Sequence, residues 1–114
     1  MKKEEVIAKI RELVAAPTVC DEAKAAGEAY LKAVGTADEK ASAKALIDEL
    51  KEDVGTIDSC IAFYKSDIGK QIYGDTVPAQ IAAAEKAKAA GERYCMCPAC
   101  QAGGPILDNA EAIL

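Results

Sequence analysis

The sequence predicts an all-α protein: an antiparallel bundle of about five helices plus a short C-terminal helix. Three observations carry this reading. Apolar residues recur at three- and four-residue spacing along the longer segments. No segment of any length alternates apolar and polar residues as a half-buried strand would. The same two-residue punctuation, Gly-Thr, stands at 35–36 and 55–56, and such short connections favour antiparallel neighbours.

Residues 3–16 put Val6, Ile7, Ile10, Leu13 and Val14 on one helical face, and Pro17 ends the segment. Thr18 is the expected N-cap of a second helix reaching Val34, with Asp21 near its positive end. This helix turns Val19, Ala23, Ala26, Tyr30, Leu31 and Val34 inward, and Cys20 falls in its first turn. Gly35 suits the left-handed position after a helix. "TADE" at 36–39 reads as a capping box of Thr36 and Glu39 that opens a third helix over 37–54. Ala43, Leu46, Ile47, Leu50 and Val54 face inward there. Gly55 stops it and Thr56 restarts the pattern.

A fourth helix is expected over 57–73, with Ile57, Cys60, Ile61, Tyr64 and Ile68 on one face and Gly69 weakening its second half. Gly74 ends it. Thr76 can cap a fifth helix with Pro78 in its first turn, carrying Ile81 and Ala84 and running to Tyr94. A cysteine-rich helix connection follows at 94–103. "GGP" at 103–105 reads as a break, after which Ile106, Leu107, Ala110, Ile113 and Leu114 give the last helix its apolar face.

The length, 114 residues, fits one helical domain over 1–114. Hydrophobic residues reach 51%, but much of that is alanine, which buries little area per contact. A small domain built this way gains from a metal or another staple. The net charge of −5 disfavours sequence-independent nucleic-acid binding, which needs Lys and Arg on phosphates. No apolar run approaches the roughly 18 residues of a membrane helix. The charged segment "MKKEEVIAKIRELVAAP" reads as an amphipathic helix of a cytoplasmic protein rather than a signal peptide.

"AKAAGEAY" at 23–30 recurs as "AKAAGERY" at 87–94. Chance in an Ala/Lys/Glu-rich helix would explain it. So would a shared packing device, in which mid-helix Gly27 and Gly91 each cost about 1 kcal/mol against alanine and close helix approach offsets that. Tyr30 and Tyr94 would then pack on equivalent faces.

The chain has no histidine, which removes Ser-His-Asp and Cys-His sites and histidine metal ligands. It has no phosphate-binding glycine loop, and its acidic residues read as a solvated surface. The chemistry concentrates in "YCMCPACQAG", residues 94–103. Pro98 is suited to the first helical position, which puts Cys97 at an N-cap and Cys100 one turn on. Backbone N–H groups and the helix dipole favour thiolates there, and Arg93 can add to this.

Zinc takes four ligands. Cys95, Cys97 and Cys100 supply three, and the fourth is Cys20, with Cys60 as the alternative; Asp21 or water would leave an open site. Cys60 reads equally as a buried small hydrophobe. An iron–sulfur cluster ranks below zinc, because C-x-C-x2-C matches neither common ferredoxin run. A reversible Cys97–Cys100 disulfide with Cys95 as resolving thiol is the redox alternative. Inert packing ranks third.

"CPAC" followed by "ILDNAEAIL", with "AAPTVCDEAKAAGEAYLKAVGT" and "ALIDELKEDVGTID", resembles an uncharacterised group of short, cysteine-containing bacterial helical proteins over nearly the whole chain. Some of that group are catalogued as heat-shock or ninety-kilodalton-type chaperones. The resemblance implies company with stress-related proteins, but no mechanism and no site residue. The chain is far shorter than that chaperone's ATPase domain and lacks its mixed α/β pattern and glycine-rich lid.

The expected function is therefore a small cytoplasmic helical protein with a cysteine metal site, structural zinc first. It would act as a binding or stress-related accessory protein rather than an enzyme, with a metal ion and a possible protein as partners. A thiol redox protein and an interaction module without site chemistry are the competing readings.

Overall fold

The computed structural model describes residues 1–114 and is all-α, as the periodicity predicts. Its helices are α1 (Lys3–Ala15), α2 (Asp21–Ala33), α3 (Glu39–Asp53), α4 (Ile57–Lys65), α5 (Asp67–Tyr73), α6 (Val77–Ala89) and α7 (Pro98–Asp108). Single 3-10 turns occupy Gly74–Thr76 and Ala110–Ala112. No strand forms, and one isolated antiparallel bridge pairs Thr56 with Tyr94. The chain divides into two compact units, residues 1–54 with 97–114, and residues 55–96.

The first unit packs α1, α2, α3 and α7. Val6, Ile10 and Leu13 of α1 are buried with Ala43, Leu46, Ile47 and Leu50 of α3 and Ile106 of α7. These are the three- and four-residue spacings that place side chains on one face of a helix. Tyr30 fills the centre with no exposed area, and its hydroxyl donates to Glu39 Oε2 at 3.4 Å. Gly27 lets α2 approach α1: a Cβ there would stand 2.6 Å from Val14 Cγ1. That close approach is the packing device expected for this glycine.

The expected 36–39 capping box takes a different form. Thr36 Oγ1 accepts the Asp38 N–H and donates to the Ala33 carbonyl, while Glu39 reaches back to the Gly35 N–H at 2.8 Å instead of to Thr36. Gly35 has a φ of 82°, so the turn before α3 is built by its left-handed conformation and Glu39 closes it.

"GGP" does not break the chain. Residues 103–105 lie inside α7, and Gly103 and Gly104 are buried. A Cβ on Gly103 would stand 2.8 Å from Val54 Cγ2, so glycine here permits close packing of α7. Burial offsets both the glycine propensity cost and the backbone bond that Pro105 cannot donate. The expected separate last helix is thus the second half of α7 plus one 3-10 turn.

The second unit packs α4 and α6 around Ile57, Cys60, Tyr64 and Ala84. The expected helix over 57–73 is two helices, divided at Ser66. Ser66 is extended, with φ −74° and ψ 162°; its Oγ donates to the Phe63 carbonyl at 2.6 Å and accepts the Gly69 N–H at 3.1 Å. It therefore closes α4 and caps α5. Gly69 is needed because any Cβ would collide with the Phe63 carbonyl. The expected helix to Tyr94 stops at Ala89, and Gly91 has a φ of 102°. The two copies of the repeated octapeptide so differ in conformation: one is helical to Tyr30, the other turns at Gly91 and ends in extended chain.

Candidate metal centre

Residues 93–95 run extended beside 55–57 in the second unit. Ile57 N–H donates to the Arg93 carbonyl and Cys95 N–H to the Gly55 carbonyl, each at 2.9 Å. Arg93 carries its guanidinium 5.2 Å from the Tyr94 ring centre. These bonds fix the backbone of Cys95 before the chain reaches α7.

Cys97 is the N-cap of α7 and Pro98 opens it, as the sequence predicts. The Cys97 Sγ accepts the Cys100 N–H at 3.4 Å, and Thr18 Oγ1 accepts the Ala99 N–H at 3.0 Å. Two of the N–H groups that a helix start leaves unpaired are thereby used. Thr18 caps α7 in this way rather than α2, whose N-cap is Cys20.

The sulfurs of Cys95, Cys97 and Cys100 all lie within 4.8 Å of one another. Two thiolates on one tetrahedral zinc stand about 3.8 Å apart, given Zn–S bonds near 2.3 Å. A contraction of about 1 Å or less, well within side-chain rotation, converts the cluster to a ligand set. Cys100 is buried, and Cys95 and Cys97 are half-buried. No disulfide forms among the five cysteines. The hexapeptide can therefore hold a metal ion.

Cys20 lies outside that group of three. It lines a pocket of about 200 Å³ in the first unit, together with Cys97, Cys100 and Asp53. Its thiol donates to Asp53 Oδ2 at 3.3 Å. The Ala23 N–H pulls its pKa down, but burial and Asp53 outweigh this and hold it above the ordinary 9.0. A thiolate, which a place at a helix start otherwise favours, is thus disfavoured at Cys20 while Asp53 faces it.

Cys60 is buried in the second unit, within the same apolar cluster as Tyr64 and Cys95. Its hydrogen bond, then burial, push the Tyr64 phenol well above its usual range.

Asp53 is the residue that sequence reasoning missed. Acidic residues read as a solvated face, and Asp53 is indeed exposed. A readable signal existed nonetheless: Asp53 closes α3, where the helix dipole disfavours a carboxylate.

No protein-family model, curated protein or solved structure matches the chain. No helix is long and apolar enough to cross a membrane.

Proposed function

We propose that Cys95, Cys97 and Cys100 hold one metal ion, with zinc as the metal and Cys20 as the fourth ligand. The observation that carries this is the approach of the three sulfurs within 4.8 Å. A donor set of thiols without histidine suits zinc, which is borderline-soft and indifferent to geometry beyond four ligands. Cys20 lines one pocket with Cys97 and Cys100, which supports it as the fourth ligand. The ion would tie the start of α7 to the first turn of α2 and add to a core rich in alanine. Such a protein acts as a binding or stress-related accessory protein in a reducing compartment, the cytoplasm, where clustered thiols persist.

Elemental analysis of protein purified without added metal tests this. Stoichiometric zinc and protected thiols are expected. Metal-free protein whose five cysteines all react freely with a thiol reagent overturns it. A brown, anaerobically purified sample would instead assign an iron–sulfur cluster.

A redox reading has one specific observation in its favour. The Cys100 N–H bonded to Cys97 Sγ favours a thiolate at Cys97, the form that attacks disulfides. It requires a reversible Cys97–Cys100 disulfide, and mass spectrometry after mild oxidation distinguishes it from the metal reading.

A further inference from the structure

We propose that Cys20 and Asp53 form the landing position through which a divalent cation enters the thiol pocket, and that Asp53 then releases the ion. The inference rests on the metal reading above.

The pocket has a gradient of exposure. Cys20 and Asp53 are exposed, Cys97 is half-buried and Cys100 is buried, and all four line the same space. Leu13, Ala23 and Leu50 make up apolar wall. A cation arriving from solvent meets the exposed pair first.

The pair is spaced for one ion. Cys20 Sγ and Asp53 Oδ2 are 3.3 Å apart. A sulfur at about 2.3 Å and an oxygen at about 2.0 Å from one tetrahedral zinc stand about 3.5 Å apart. The ion can therefore take the place of the S–H proton between them with almost no movement of either group. The proton leaves to solvent.

The surrounding charge favours the encounter. Glu49 lies within electrostatic reach of Asp53, Glu52 and Glu22, so like charges gather around Asp53. Asp53 is the one carboxylate lining the pocket, and the acidic groups near it raise the local cation concentration beside an apolar wall. Retention favours sulfur: thiolates suit zinc better than one more carboxylate does. Once Cys97 and Cys100 engage, Cys20 follows the ion inward and Asp53 is displaced.

Stopped-flow mixing of the metal-stripped full chain with Cd2+ tests this, read by thiolate-to-metal charge-transfer absorbance. Asp53→Asn is expected to slow binding about tenfold at low salt and to weaken its salt dependence. It is expected to leave stoichiometry and the final spectrum unchanged. Glu85→Gln, the same charge change in the other unit, should bind at the wild-type rate. Cys20→Ser should bind slowly and end with one thiolate fewer on the ion. An unchanged rate in Asp53→Asn overturns the landing role alone. A changed final spectrum or stoichiometry in that variant makes Asp53 a resident ligand and overturns its release. Equal slowing by Glu85→Gln reduces the effect to net charge and overturns the site. If the wild type binds no Cd2+, the metal centre itself fails, and the landing position with it.

Discussion

Cys97 Sγ accepts the backbone N–H of Cys100, its partner in the candidate metal centre, at 3.4 Å. One thiol thus caps α7 and stands ready as a ligand, and substitution can separate the two roles. Serine is among the best N-caps but a poor ligand for a soft site, whereas alanine is neither. In metal-stripped protein, Cys97→Ser should be as stable as the wild type, and Cys97→Ala less stable by about 0.5–1 kcal/mol. Both should lose metal. Urea unfolding with and without zinc measures the difference, and equal stability of the two variants would show that the cap contributes nothing.

The repeated octapeptide offers a second test, because its two glycines serve different ends. Gly91→Ala forces an L-residue to a φ of 102° and should cost about 1–2 kcal/mol. Gly27→Ala gains about 1 kcal/mol of helix propensity but drives its Cβ into Val14 Cγ1. The prediction is therefore a sign change: destabilising alone, stabilising when added to Val14→Ala. A double-mutant cycle on thermal unfolding reads this directly. Additivity would mean that Gly27 is not a contact glycine.

Much of the fold was legible because local chemistry dictates it. The apolar stripes of α1 and α3, the left-handed Gly35 and the cap of α7 by Cys97 all follow from neighbours in sequence. The misreadings have two causes: local side-chain and glycine geometry broke the chain at Ser66 and Gly91, and elsewhere long-range packing reversed a local preference. "GGP" stays helical because Gly103 lies against Val54, and Thr18 caps α7 from 81 residues away. The candidate site divides in the same way. Cys95, Cys97 and Cys100 are close in sequence and were evident, while the Cys20–Asp53 pair depends on the packing of α2 against α3.

Ser66 should behave as a hinge cap. Ser66→Ala loses the bonds to the Gly69 N–H and the Phe63 carbonyl together. The expected cost is about 0.5–2 kcal/mol, concentrated in α5. Gly69→Ala should cost more, about 1–3 kcal/mol, because the obstructing Phe63 carbonyl is backbone and cannot rotate aside. Hydrogen exchange should show both variants losing protection in residues 67–73 before the rest of the second unit. Uniform loss across 55–96 would contradict a local break.

The pH dependence of the first unit should report on Glu39. The Gly35 N–H, then Lys3, hold its carboxyl below the ordinary 4.5. A depressed carboxylate contributes stability above its unfolded value, and loses it as pH falls through the folded value. Lys3 is raised above 10.5, chiefly by its bond to Glu39, so its contribution is present below that value and is lost as pH rises through the folded one. The pair therefore acts between these limits. Glu39→Gln keeps an acceptor for the Gly35 N–H and the Tyr30 hydroxyl but removes the charge. The wild type should be the more stable protein at neutral pH, with the gap closing as pH drops below 4.5. Comparing the two proteins cancels Asp48, whose pKa is also lowered, by Lys44. Urea midpoints across that range, repeated at high salt to screen the exposed lysine, measure the gap. A gap that ignores pH would assign the role of Glu39 to its hydrogen bonds alone.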